Sequence, residues 1–113
     1  MPSFGLSDQT LATVRAILAD YPAVEKAILY GSRAKGNYRK GSDIDLTLIG
    51  AALNHRLLAE IAGRLEESII PYQVDLSLKQ QIDNPNLLAH IERVGVVFYR
   101  STGSSPMYEK STQ

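Results

Sequence analysis

The sequence has no cysteine and no long apolar run, and its charges balance. Without cysteine, disulfides and cysteine-based zinc sites are excluded, which is consistent with a cytoplasmic protein. The 12 Lys and Arg residues match the 12 Asp and Glu residues, whereas a protein that mainly binds nucleic acid normally carries a basic excess. No segment approaches the roughly 18 consecutive apolar residues of a membrane helix. The N-terminus also lacks the basic and apolar regions of a signal peptide. These absences favour a soluble cytoplasmic protein with no membrane or direct nucleic-acid partner.

The length of 113 residues suits one domain. We expect that domain to occupy residues 1–100. The Ser/Thr/Gly-rich segment 101–113 is predicted to be a disordered tail.

Hydrophobic periodicity predicts alternating helices and strands. Apolar residues recur at helical spacing over 7–21, 54–67 and the second half of 79–94, and a short helix is expected at 31–36. Strand patterns cover 24–30, 43–50, 72–78 and 95–100. The fold class predicted is α/β (α+β), with a small mixed β-sheet and helices on one face.

The stretch GSRAKGNYRKGSDID, residues 31–45, carries the most specific pattern. On a strand, Asp43 and Asp45 point to one side while Ile44 points to the other. Paired carboxylates repel each other unless a cation lies between them, although a solvated strand face is the simpler alternative. A third carboxylate, Asp75, lies on the polar face of the strand pattern over 72–78.

Gly31 and Ser32 follow an apolar strand pattern and offer backbone N–H groups and a hydroxyl to a phosphate. Arg33 and Lys35 add positive charge beside them, either for the same phosphate or as ordinary surface charge. A phosphate cradle facing a metal-binding acidic pair is typical of phosphoryl or nucleotidyl transfer. His90 is expected to be a surface or packing histidine, since no partner lies at metal-ligand spacing.

Gly31-Ser32, ten intervening residues and Asp43-Ile44-Asp45 resemble the signature of the DNA polymerase β-like nucleotidyltransferase superfamily. The short chain is similar to the minimal nucleotidyltransferase (MNT) proteins of prokaryotes. The resemblance implies that Asp43, Asp45 and Asp75 are catalytic and bind two Mg²⁺ ions, while Gly31, Ser32, Arg33 and Lys35 bind the nucleotide. It also implies a small helical HEPN partner encoded by a neighbouring gene, and an antitoxin that moves AMP from ATP to a tyrosine of that partner.

Two other functions stay open at this point. One is a small-molecule nucleotidyltransferase of the aminoglycoside-modifying kind, although the chain is too short for the acceptor-binding domain of those enzymes. The other is an antitoxin that neutralises its partner by binding alone. The presence of all three aspartates and of Gly31-Ser32 favours an enzyme over this second alternative.

Overall fold

The computed structural model describes residues 4–101. These residues form four α-helices, one 3₁₀ turn and four strands. In chain order the elements are α1 (Asp8–Ala19), β1 (Lys26–Tyr30), α2 (Ser32–Lys35), β2 (Ile44–Ile49), α3 (His55–Glu66), β3 (Val74–Leu78), the 3₁₀ turn (Lys79–Gln81), α4 (Pro85–Val94) and β4 (Val96–Arg100). The tail predicted to be disordered lies outside the described residues from position 102 onward.

The four strands form one mixed sheet in the order β3-β2-β1-β4. β1 pairs antiparallel with both β2 and β4, while β2 and β3 run parallel. Since α3 connects β2 to β3, the parallel pair is joined by a helical crossover, as parallel strands require. The predicted α/β fold with a small mixed sheet is confirmed.

The main hydrophobic core lies on the face of the sheet that carries Ile44, Leu46 and Leu48. All three side chains are fully buried, as the alternating pattern of β2 predicts. α1 contributes Val14 and Leu18 to this core, and α3 contributes its buried residues Ile61 and Leu65. One helical layer therefore covers the leucine face and leaves the carboxylates on the other.

Polar side chains cap the N-terminal ends of α1, α3 and α4. Ser7 accepts a hydrogen bond from the Thr10 N–H at 3.1 Å, and Asn54 accepts one from the Leu57 N–H at 2.9 Å. Asn84 accepts from Asn86 and Leu87, with Pro85 as the first residue of α4. The ends of the helices and strands lie within two residues of those that the hydrophobic periodicity predicts, and Ser7 and Asn54 cap their helices rather than begin them.

α4 approaches the sheet from the side opposite the leucine face. Ile28 and Tyr30 alternate with the core residues Ala27 and Leu29 along β1 and so point to that opposite side. The Tyr30 ring meets the ring of His90 on α4 edge to face, with their centroids 6.2 Å apart. The predicted helical layer on one face is thus accompanied by a helix that borders the carboxylate face. Within residues 4–101, no helix is long and apolar enough to cross a membrane.

Candidate functional site

Three aspartates lie at the ends of two neighbouring parallel strands. Asp43 is exposed one residue before β2, Asp45 lies on β2, and Asp75 lies on β3. Asp45 and Asp75 are direct partners in the parallel register, so their side chains share a face of the sheet. The sheet thus brings together carboxylates that are 30 positions apart in the chain.

Burial and the neighbouring carboxylates both raise the pKa of Asp45. Burial is the largest cause of the raised pKa of Asp45, followed by the negative charges of Asp75 and then Asp43, while His90 opposes the shift. Negative charge is therefore concentrated at this edge of the sheet beyond what the fold itself neutralises. A cation bound there would relieve the repulsion.

The donor set fits a hard divalent cation only in part. Carboxylate oxygens are the ligands that Mg²⁺ prefers, and Mg²⁺ commonly takes one or two of them together with water and substrate phosphates. Among residues 4–101, however, no three His, Cys, Asp or Glu side chains are grouped closely enough to hold an ion by themselves. The residues present fit Mg²⁺ held by fewer than three carboxylates plus a nucleotide, with Asp43, Asp45 and Asp75 as the available ligands.

Gly31 forms the turn between β1 and α2 directly beside Asp45. Its φ of 77° and ψ of −157° lie in a region open almost only to glycine. A Cβ atom at this position would overlap Oδ2 of Asp45. The absence of a side chain therefore lets the Asp45 carboxylate and the backbone of the turn approach each other, and the same turn carries Ser32 at the first position of α2.

His90 is a site residue that the sequence interpretation missed. Its Nε2 accepts a hydrogen bond from the Gly31 N–H at 3.2 Å. The contact joins α4 to the glycine turn across 59 positions of chain. Periodicity places His90 on a helix, but no local pattern indicates a partner so far away in the sequence.

Tyr30 and two hydroxyl residues lie next to the carboxylates. Tyr30 is the antiparallel register partner of Asp45, and it is buried. Burial raises the pKa of Tyr30, as do the charges of Asp45 and Asp75, while a hydrogen bond with Ser77 opposes the shift. Ser77 in turn donates a hydrogen bond to the Thr47 hydroxyl at 2.9 Å. These neutral hydroxyls extend the polar surface below the aspartates.

The remaining predicted nucleotide-binding residues have different positions. Ser32 is half-buried in the glycine turn, and Lys35 is exposed at the end of α2. Arg33 is buried, and its guanidinium donates hydrogen bonds to backbone carbonyl groups instead of projecting from the turn. These contacts favour a structural role for Arg33, while the roles of the other site residues stay predictions.

Comparison with known proteins agrees with this arrangement. Residues 12–103 match the polymerase beta nucleotidyltransferase family, and the chain belongs to that family. It is a nucleotidyltransferase, as the resemblance implies.

A relative from Methanocaldococcus jannaschii, named "Putative protein adenylyltransferase", is 34% identical over 80 residues, which are 69% of this chain and 80% of the relative. A crystal structure of a toxin–antitoxin pair with AMP-PNP contains a similar chain, with TM-score 0.64, 19% identity and coverage of 91% of this chain and 81% of that chain. A structure of a tri-AMPylated Shewanella oneidensis HEPN toxin with its MNT antitoxin gives TM-score 0.63, 18% identity and coverage of 91% and 80%. At these identities the solved structures support the fold.

Proposed function

We propose that this chain is a metal-dependent adenylyltransferase that moves AMP from ATP to a tyrosine hydroxyl of a helical HEPN-type partner. The observation that carries the proposal is the placement of Asp45. Its carboxylate touches the glycine turn on one side and lies in register with Asp75 on the other. A nucleotide whose phosphates lie on the turn would thus have its reacting phosphorus next to carboxylates.

The chain's own groups have distinct tasks in this reaction. The turn at Gly31 and Ser32 holds the β- and γ-phosphates through the Ser32 hydroxyl and the backbone N–H groups that follow Gly31, since the Gly31 N–H already donates to His90 Nε2. Asp43 and Asp45 are the ligands that would hold Mg²⁺, which when bound supplies positive charge to the phosphates. Asp75 accepts the proton of the attacking hydroxyl, whose oxygen bonds to the α-phosphorus as the bond to the β-phosphate oxygen breaks and pyrophosphate leaves.

The acceptor is proposed from the relatives rather than from the site. The M. jannaschii relative bears the name of a protein adenylyltransferase, and one structural neighbour holds an AMPylated HEPN toxin beside an MNT antitoxin. The described residues contain no separate domain that could enclose a small acceptor. These facts favour a protein acceptor brought by a partner. That a neighbouring gene encodes this partner is part of the proposal.

Intact-mass spectrometry tests the proposal. The full chain is incubated with ATP, Mg²⁺ and the HEPN-type protein encoded beside it. We expect the partner to gain the mass of one or more AMP groups and peptide mapping to place them on tyrosine. Asp43→Asn should abolish the gain, because it removes a metal ligand, while Asp83→Asn serves as a matched control at an exposed aspartate in the loop before α4.

The outcomes separate the alternatives. A stable complex without a mass gain would indicate an antitoxin that acts by binding alone. Transfer to an aminoglycoside but not to the partner would indicate a small-molecule enzyme. Unchanged transfer by Asp43→Asn would contradict the metal assignment.

A further inference from the structure

Arg33 joins three segments of the chain beneath the site. Its Nε and Nη2 both donate hydrogen bonds to the Ser42 carbonyl, at 3.0 and 2.8 Å. Its Nη1 donates to the Phe4 carbonyl at 2.7 Å. The guanidinium carbon also lies 5.2 Å from the ring centroid of Tyr38 and 4.7 Å from that of Tyr72. One side chain of α2 thereby contacts the N-terminal segment, the loop before β2 and the segment before β3.

The charge of this side chain is buried without an acidic partner. Arg33 is 3% exposed, and no Asp or Glu among residues 4–101 forms an ion pair with it. Burying a charge is costly unless hydrogen bonds compensate for lost water. Here, three bonds to carbonyl oxygens and two aromatic rings supply the compensation. The planar guanidinium of arginine can donate two hydrogen bonds to one carbonyl oxygen from two different nitrogens, whereas lysine has a single nitrogen.

The two hydrogen bonds from Arg33 to the Ser42 carbonyl fix the backbone immediately before Asp43. The Ser42 N–H also donates to the Arg39 carbonyl at 3.0 Å, and the Ser42 hydroxyl accepts from the Arg39 N–H at 2.9 Å. On the other side of Asp43, the Ile44 N–H donates to the Gln73 carbonyl at 2.9 Å. Asp43 itself is exposed and lies outside the strand register. Its position therefore depends on the anchors at Ser42 and Ile44.

Tyr72 links the same guanidinium to the other carboxylate strand. It lies three residues before Asp75, and the neighbouring Gln73 supplies the carbonyl that holds Ile44. The guanidinium thus contacts the segments leading into both strands that carry the aspartates.

We propose that Arg33 is a positioning residue for Asp43, which it holds toward Asp45 and Asp75 through the Ser42 carbonyl. This inference rests on the proposed role of Asp43 in metal-dependent transfer. It replaces direct phosphate binding by Arg33, since the side chain is buried and three of the five guanidinium N–H groups donate to protein carbonyls.

The test compares Arg33→Lys with Arg15→Lys in the full-length chain. Arg15 is a matched control because its Nε donates to the Phe98 carbonyl at 3.0 Å and its guanidinium lies 4.7 Å from the Phe98 ring, away from the aspartates. Amide hydrogen exchange should accelerate over residues 39–44 in Arg33→Lys only. Electron paramagnetic resonance should then measure Mn²⁺ binding in the presence of α,β-methylene-ATP, a nucleotide that cannot transfer its adenylyl group.

We expect Mn²⁺ binding to weaken about tenfold in Arg33→Lys, which is the size of effect seen when a residue that orients a metal ligand by a hydrogen bond is replaced. Mn²⁺ binding should stay unchanged in Arg15→Lys. In the complex with the partner, kcat for transfer should fall about tenfold, while KM for ATP stays within about threefold. If Arg33→Lys does not fold, Tyr38→Leu removes one ring from the guanidinium at a partly exposed position. Its loss of Mn²⁺ affinity should be about threefold.

Three results would overturn the inference. Faster exchange with unchanged Mn²⁺ affinity would make Arg33 a purely structural residue. A raised KM for ATP with unchanged exchange would make it a phosphate ligand. A wild-type chain that binds no Mn²⁺ would remove both this role and the proposed function. Absence of transfer alone, with Mn²⁺ binding and exchange as expected, would overturn the proposed acceptor and leave the role of Arg33 supported.

Discussion

At the scale of single residues, Gly31 is required for two separable reasons. Its positive φ strains any other residue, and a Cβ would also overlap the Asp45 carboxylate. Gly36 at the end of α2 shares only the first property, because its φ is 90° and nothing lies within 4 Å of a Cβ built there. The two glycines therefore allow backbone strain and displacement of Asp45 to be measured separately.

We predict that Gly31→Ala and Gly36→Ala each lower the free energy of unfolding by about 1–3 kcal/mol through backbone strain. Only Gly31→Ala should also reduce transfer, by about 100-fold, because it displaces a carboxylate at the reacting phosphate. Urea unfolding and transfer rates measured on the same preparations test this. Equal losses of transfer in both variants would indicate that the position of Asp45 relative to the turn is unimportant.

The raised pKa of Asp45 gives a prediction about stability and pH. An aspartate whose pKa is higher in the folded state than in the unfolded state binds more protons when folded, so stability falls as the pH rises through that interval. The substitution Asp45→Asn removes the ionisable group and with it this loss of stability at higher pH. In metal-free buffer at neutral pH, we expect this variant to have a higher Tm than the wild type, and the difference to vanish below the ordinary pKa of aspartate. Transfer should fall by about 100-fold or more. A lower Tm at neutral pH would contradict the raised pKa of Asp45.

Residue identities could be predicted from the sequence where the signal is local. Asp43, Asp45 and Gly31-Ser32 stand at fixed spacing within one stretch, and the structure places the Asp45 carboxylate beside Gly31. The contacts of His90 with Gly31 and of Arg33 with Phe4 join positions 59 and 29 residues apart. Such pairs arise only when the sheet closes, and this is why His90 was expected to be a surface or packing histidine and Arg33 either a phosphate ligand or ordinary surface charge.

At the scale of elements, the approach of α4 to β1 places His90 at the glycine turn. Gly95 ends α4, and a Cβ there would meet Ile28 Cγ2 at 2.8 Å as well as the Ile91 carbonyl. The φ of Gly95 is −64°, a value that any residue adopts, so the constraint is purely one of space.

We predict opposite effects for alanine at two glycines. Gly95→Ala should destabilise the fold by about 1–3 kcal/mol, because it forces α4 away from β1. It should also slow transfer by weakening the His90 bond to Gly31. Gly63→Ala, within α3 where nothing lies near an added Cβ, should stabilise the fold by about 0.5–1 kcal/mol with no effect on transfer. Chemical denaturation measures both; a stabilised Gly95→Ala would mean that the contact with β1 is loose.

Element types were predictable because each depends on short-range patterns. Strict alternation in β2 and helical periodicity from positions 7 and 54 indicated the strand and the two helices correctly, and Ser7 and Asn54 are the capping residues. Alternation along β2 places Thr47 on the same face of the sheet as Asp45, yet Thr47 is fully buried. Its hydroxyl accepts from Ser77 on β3, a partner that depends on the parallel pairing and not on the sequence near Thr47.

At the scale of the whole molecule, ligand binding and folding are linked. A nucleotide that binds only the folded chain stabilises it by about 2.7 kcal/mol at a concentration 100 times its Kd. We predict that ATP with Mg²⁺ raises the Tm of the wild type by several degrees, and that chelating the metal removes most of the shift. Asp43→Asn should respond weakly, whereas Asp83→Asn should respond as the wild type does. A full shift in the absence of metal would contradict a metal-dependent site.

The strand order has a consequence for synthesis of the chain. β1 lies between β2 and β4, and β4 contains the last residues of the sheet, Val96–Arg100. Asp75, His90 and this strand emerge from the ribosome long after the glycine turn that they complete. A nascent chain that has emerged only as far as the motif therefore has neither the complete sheet nor the hydrogen bond between Gly31 and His90. The sheet that supports the site can therefore close only after Val96–Arg100 has been synthesised.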